Sequence, residues 1–199
     1  VESVINTEGL RQLNSIMSSE FHAFRRSKKW IGGGLILGHI NCKPTFSPNL
    51  IYEDILFNPT VIKVLAHYFG ATPLLIAYTA NINMPGSFRQ SFHSDDRERK
   101  NDSINVSIPL VATTQSNGST EVIPLTHKKM FNLQECSENK HVDSLRWNLA
   151  LGDCVFWIPN LWHRGTVNQA EECRILLNLR FTTREKIGTF SLKPMTVPY

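Results

Sequence analysis

Cys173-Arg174-Ile175-Leu176-Leu177-Asn178-Leu179-Arg180-Phe181-Thr182 sets Arg174, Asn178 and Arg180 on one parity and Ile175, Leu177, Leu179 and Phe181 on the other. Alternation with a period of two marks a strand with one apolar face. The aliphatic set is expected to lie under helices, leaving the polar set to face an interior cavity. Working outward, residues 153–163, 120–124, 104–112 and 74–83 read as further strands, divided by turn signals such as Met84-Pro85-Gly86 and Ser116-Asn117-Gly118. Ahead of them, Leu10, Leu13, Ile16, Met17, Phe21 and Phe24 recur at helical spacing within residues 7–30. Asn58-Pro59 opens a second helix carrying Val61, Ile62, Val64, Leu65 and Tyr68, with Gly70 as its stop. Helices followed by many short strands predict a mainly β sandwich or barrel with helices on one outer face. One domain is expected over residues 1–199, with a helical cover to about residue 73 and a β core over about 74–181.

Composition narrows the function. The 199 residues hold 21 Lys+Arg against 17 Asp+Glu, a net charge of +4 with no long basic run, which disfavours a nucleic-acid binder. Hydrophobic residues make up 41% and charged residues 19%, enough apolar material for a packed core and too little charge for a disordered chain. No apolar run reaches the ~18 residues of a membrane span. Four cysteines without zinc-like spacing, and a Val1-Glu2-Ser3 start without a signal core, predict reduced thiols, a trimmed start and a cytoplasmic location. The glycosylation-like triplets at Asn101, Asn105 and Asn117 then read as chance matches. Arg25, Arg26, Lys28 and Lys29 suit a helix C-terminus, and Gly32-Gly33-Gly34, lacking a P-loop lysine, reads as a connection.

Chemistry enters at Gln90-Ser91-Phe92-His93-Ser94-Asp95, where an extended backbone points His93 and Asp95 to the same side. His163, in the segment that follows Asp153, is the candidate third ligand. Two histidines and one carboxylate with open positions form the facial triad of non-haem Fe(II) oxygenases. A hairpin centred between Asn168 and Gln169 would set His163 directly opposite Arg174, a fixed fork suited to a carboxylate near the metal.

These residues resemble the phytanoyl-CoA dioxygenase-like Fe(II)/2-oxoglutarate oxygenases over about residues 74–181. The resemblance rests on Pro85-Gly86 followed by Gln90 and His93-x-Asp95, on Asn117-Gly118 through Pro124 to His127-Lys128, on Gly152-Asp153 leading to His163, and on Arg174. It implies a double-stranded β-helix, or jelly roll, with Fe(II) held by His93, Asp95 and His163 and the distal carboxylate of 2-oxoglutarate held by Arg174. O2 would be consumed with 2-oxoglutarate to give succinate, CO2 and oxidation of an unactivated C–H. Asn81, Gln90 and Thr166 are further candidates for 2-oxoglutarate, Asn83 shares the parity of Asn81, and Asn178 and Arg180 are candidates for a polar or anionic substrate. Arg97, Arg99 and Lys100 read as a solvated loop, His127 as a turn residue, Trp157 and Trp162 as core or pocket wall, and His22, His39, His67 and His141 as ordinary histidines.

Two departures stand out. Leu125-Thr126 precede His127 where the family has Gly-Ser, and Gly165 stands where it often has a hydroxyl residue that helps bind 2-oxoglutarate. Retention of Asp95 favours hydroxylation or another oxidation over halogenation. The reading is an oxygenase acting on a small molecule, with an inactive jelly-roll binding or scaffold protein as the alternative. Oligomeric state is left open.

Overall fold

A computed structural model of the chain describes residues 1–27, 37–44, 53–95, 102–128 and 143–187. The triple glycine, the Arg97, Arg99 and Lys100 cluster, Cys136 and His141 lie outside these residues, and the side chains of residues 22–27 are likewise not described.

In chain order the elements are α1 (Thr7–Ser27), β1 (His39–Cys42), α2 (Glu53–Leu56), α3 (Pro59–Phe69), β2 (Leu74–Asn83), β3 (Ile104–Pro109), β4 (Glu121–Val122), a 3-10 turn (Thr126–Lys128), β5 (Leu145–Arg146), β6 (Val155–Trp157), β7 (His163–Arg164), β8 (Arg174–Thr182) and α4 (Arg184–Ile187). The strands form two antiparallel sheets, one ordered β1-β2-β8-β3-β6 and the other β5-β4-β7. Residue His93 bridges to His163 and extends the smaller sheet beyond β7. This is the two-sheet, mainly β architecture that the strand pattern predicts.

The helices cover the larger sheet. Leu10, Leu13, Met17 and Phe21 of α1 and Val61 and Leu65 of α3 share one core with Ile175, Leu177, Leu179 and Phe181, the apolar parity of β8. At ~25 cal/mol per Å2 each such side chain contributes roughly 1.5–3 kcal/mol on burial, so the outer face of the sheet is where much of the fold's stability resides. The α3 boundaries follow from its caps. Asn58 Oδ1 accepts from Thr60 N at 3.0 Å and Val61 N at 3.2 Å, and Gly70 adopts φ 66° to end the helix.

The structure corrects the expected β7–β8 hairpin. His163 lies in the small sheet, whereas Arg174 lies in the large one, paired with Asn83 of β2. The chain between them changes sheets, and Asn168 holds the crossing by donating to Asn83 O at 3.0 Å and Glu172 O at 2.9 Å. The single strand read over residues 153–163 is likewise two strands, β6 and β7, in different sheets, separated by turns around Pro159 and Asn160.

Candidate active site

The inner faces of the two sheets enclose a cavity of about 90 Å3. The small sheet presents His93, Asp95 and His163, and the large sheet presents Asn41, Asn81 and Asn178. Asp95 Oδ1 lies 3.9 Å from His93 Nε2 and 3.8 Å from His163 Nε2. One potential ligand atom from each residue falls within 4.8 Å of the other two, a spacing that one metal ion can span.

Backbone pairing builds this cluster. His93 N donates to His163 O and His163 N to His93 O, both at 2.9 Å, so two residues 70 positions apart are locked face to face. Each ring is oriented by its own chain: His93 Nδ1 donates to Ser91 O at 3.0 Å and His163 Nδ1 to Leu161 O at 2.9 Å. A carbonyl can only accept, so both protons sit on Nδ1 and both Nε2 lone pairs point toward Asp95, the tautomer a metal needs. Burial, reinforced by His93 and only partly offset by Asp95 and the Leu161 carbonyl, holds His163 below the ordinary histidine value and therefore neutral. Beneath the cluster, Arg164 Nε donates to Glu121 Oε2 at 2.6 Å and its guanidinium lies 3.9 Å from the centre of the Phe92 ring. Burial opposes ionisation of Glu121, but hydrogen bonds from Arg164 and Ser144 hold its carboxyl below the usual range. Neither Arg164 nor Glu121 carries a sequence signal, because their pairing joins β7 to β4.

Arg174 is the other pole of the site. Only 1% exposed, it donates through Nη1 to Asn81 Oδ1 and through Nη2 to Gly118 O, each at 3.0 Å. Its Nε has no partner, and among the described residues no carboxylate forms a salt bridge with it. Complete burial lowers it to about 10, which still leaves it charged at neutral pH. A buried cation without an anion is costly, and binding an anion would offset that cost. Gly118 makes the arrangement possible: at φ 82° any β-carbon there would collide with Asn83 Nδ2 and lie 2.8 Å from Thr166 O.

Two relays fix the polarity of the large-sheet wall. Trp157 Nε1 can only donate, and does so to Ser107 Oγ at 2.8 Å; Ser107 therefore donates to Asn178 Oδ1 at 2.5 Å and the Asn178 amide nitrogen is left for the cavity. Arg174 likewise forces Asn81 Oδ1 to accept, so Asn81 Nδ2 donates to Asn41 Oδ1 at 2.9 Å and Asn41 also ends in an amide nitrogen.

The remaining candidates divide. Gln90 lines the cavity, its Oε1 accepting from Gly165 N at 2.8 Å. Thr166 is not on the cavity wall: its hydroxyl donates to Ser119 O at 2.7 Å and accepts from Arg146 Nη1 at 2.6 Å, which makes it a structural link. Asn83 is also structural, donating to Thr166 O at 2.8 Å and Gly118 O at 3.3 Å. Arg180 shares the parity of Asn178 but donates to Ser103 Oγ at 2.8 Å, outside the cavity lining. His39, read from sequence as an ordinary histidine, lies next to the site. It is buried on β1 beside Gly165, and its position becomes visible only through the pairing of β1 with β2.

A profile of the phytanoyl-CoA dioxygenase (PhyH) family matches residues 43–176, about two thirds of the chain. The chain belongs to the phytanoyl-CoA dioxygenase family. The match takes in His93, Asp95, His163 and Arg174. Among curated proteins, the dioxygenase af480 of Aspergillus fumigatus is 26% identical over 140 residues, covering 66% of this chain and 45% of that protein, so the chain spans under half its relative's length. Among solved structures, the epimerase SnoN in complex with Fe3+, alpha ketoglutarate and nogalamycin RO superposes with a TM-score of 0.68 at 12% identity, over 92% of this chain and 77% of that one. AviO1 from Streptomyces viridochromogenes Tue57 gives 0.66 at 16% identity, over 92% and 88%. HygX from Streptomyces hygroscopicus, with nickel, 2-oxoglutarate and hygromycin B bound, gives 0.64 at 12% identity, over 92% and 82%. These likenesses establish the PhyH jelly-roll fold. No helix among the described residues is long and apolar enough to cross a membrane.

Proposed function

We propose that this chain is an Fe(II)/2-oxoglutarate-dependent oxygenase that oxidises a C–H bond of a small molecule. The observation that carries the reading is the convergence of three candidate metal-ligand atoms on a cavity whose wall includes Asn81, behind which lies the buried Arg174 guanidinium, without an anion among the described residues. The residues fit the two groups: both histidine Nε2 atoms carry lone pairs toward Asp95, and Arg174 keeps an unpartnered Nε. Iron would be held by His93, Asp95 and His163, and the distal carboxylate of 2-oxoglutarate by Arg174. When bound, these groups supply the oxidising chemistry, in which O2 and 2-oxoglutarate are consumed and succinate and CO2 released.

The protein's part is placement. Asn81 holds Arg174 in position, Gln90 fixes the Gly165 backbone, and Trp157 packs edge-on against His163 with ring centres 4.8 Å apart, shielding that ligand from water. Asn178, on the far side of Leu176 from Arg174, is the candidate contact to the primary substrate. Its outward amide nitrogen suits a carbonyl, carboxylate or hydroxyl oxygen. A carboxylate ligand at position 95 leaves no extra position for halide, which favours hydroxylation or a related oxidation over halogenation.

The alternative, a jelly-roll scaffold without turnover, draws its support from the missing hydroxyl at Gly165, and that volume is filled by His39. Thermal unfolding with Mn(II), with and without 2-oxoglutarate, tests the reading. Ligand at ~100 times its dissociation constant adds ~2.7 kcal/mol, roughly 5–10 °C for a chain of this size. No shift, together with no succinate from the Fe(II) protein, would overturn it. A mass-spectrometric screen for gain of one oxygen or loss of two hydrogens then identifies the substrate.

A further inference from the structure

Position 165 has no side chain, and the space one would fill is taken. A β-carbon placed on Gly165 would collide with His39 Cε1, lie 2.5 Å from His39 Nδ1 and 2.8 Å from Gln90 Oε1. The imidazole of β1 thus occupies the volume that any other residue two positions after His163 would claim. His39 is 1% exposed, its Nε2 donates to Phe88 O at 2.7 Å, and its Nδ1 has no partner.

Strand register shows where that edge of the ring lies. His39 pairs with Asn83, and Asn83 pairs with Arg174, so the three form one row across β1, β2 and β8. Each carries a buried polar atom without a partner: His39 Nδ1, Asn83 Oδ1 and Arg174 Nε. Such groups are rare in folded proteins. Of the three, Arg174 Nε is a donor and Asn83 Oδ1 an acceptor, while His39 Nδ1 donates only when the ring is protonated; the ring itself lies against Gly165 of the cavity wall.

Building on the assignment of Arg174 to the distal carboxylate of 2-oxoglutarate, we propose that His39 is a co-substrate-binding residue that replaces, from a neighbouring strand, the side chain absent at Gly165. Its Nδ1 edge completes the carboxylate seat beside Arg174. Because the Phe88 carbonyl retains the Nε2 proton, Nδ1 donates only when the ring is cationic. In the ligand-free protein burial favours the neutral ring, the Phe88 carbonyl partly opposes this, and Arg174 and His93, the charged or titratable groups acting on it, favour it further. A seated carboxylate reverses that balance, so a proton is taken up with the ligand.

The test is calorimetric binding of N-oxalylglycine, an unreactive analogue of 2-oxoglutarate, to the Mn(II)-loaded full chain. Wild type, His39→Ala, Gly165→Ser and the double variant are compared. His39→Ala is expected to weaken binding tenfold or more while leaving Mn(II) affinity within about twofold. Gly165→Ser alone also weakens it, because its β-carbon meets the ring, and the double variant recovers to within about threefold of wild type. Titrations in buffers of different ionisation heat should show close to one proton taken up by wild type and none by the double variant. If His39→Ala does not fold, His39→Gln, which can keep a bond to Phe88 without a second ring nitrogen, is the comparison. Binding by the His39 variant within twofold of wild type, or a double variant no tighter than the His39 variant, would overturn the proposal and leave the oxygenase reading intact. Wild type that binds no N-oxalylglycine would overturn both.

Discussion

Ser107 Oγ donates to Asn178 Oδ1 at 2.5 Å while accepting from Trp157, and this one bond decides which end of the Asn178 amide the cavity sees. Asn178→Asp keeps the shape and the bond from Ser107 but replaces the free donor with a charged acceptor. For the primary substrate, KM is expected to rise at least tenfold, whereas the dissociation constant for 2-oxoglutarate stays within about twofold. Steady-state kinetics and calorimetry on the same preparation check the split, and equal losses in both would remove Asn178 from the substrate site.

Arg174 sets function against stability. Replacing it by Met removes the desolvation cost of a buried charge at the loss of its bonds to Asn81 and Gly118, and it removes the group proposed to hold the distal carboxylate. The ligand-free variant should melt at or above the wild-type temperature, yet show no further rise with Mn(II) and 2-oxoglutarate. Differential scanning calorimetry reads both.

The direction of the histidine shifts gives a pH dependence. His39 and His163 both lie below the ordinary value, mainly through burial, so below about pH 6.5 the unfolded chain binds protons that the native state refuses. Stability of the metal-free protein is therefore full above that value and lost as pH falls through the native-state values, by up to ~1.4 kcal/mol per pH unit for each excess proton. Urea unfolding between pH 8 and pH 5 measures the slope, and His39→Gln should flatten it.

Gly118→Ala tests the platform under Arg174. Its β-carbon would meet Asn83 Nδ2 at a φ that alanine rarely adopts, so a loss of about 2–4 kcal/mol is expected. Any folded fraction should bind 2-oxoglutarate more weakly, because the carbonyl that receives Arg174 Nη2 shifts with the turn.

Much of the fold is legible in the sequence alone. The alternation of β8 divides a buried face from a polar one, the Asn58 and Gly70 signals bound α3, and His93-x-Asp95 with His163 names three candidate ligands that lie together. These are local patterns, and local patterns survive folding. What sequence reading missed is where the chain changes sheets. Residues 153–163 look like one apolar strand, and the turns around Pro159 and Asn160 that split it carry no strong periodic mark. The hairpin register linking His163 to Arg174 differs from the structure for the same reason. His39 was illegible because its neighbours, Phe88 and Gly165, lie 49 and 126 positions away and meet it only through the sheet.

The division of the site between two sheets has a mechanical consequence. All three metal-ligand candidates belong to the small sheet and its His93 extension, while Arg174, Asn81 and Asn178 belong to the large one. On the proposed reading, a dicarboxylate chelated at one end and gripped at the other would be a strut that ties the halves of the sandwich together. Loading should slow hydrogen exchange in β7 and β8 together, two strands that share no backbone ladder, so that the chain would gain stiffness as its co-substrate is seated.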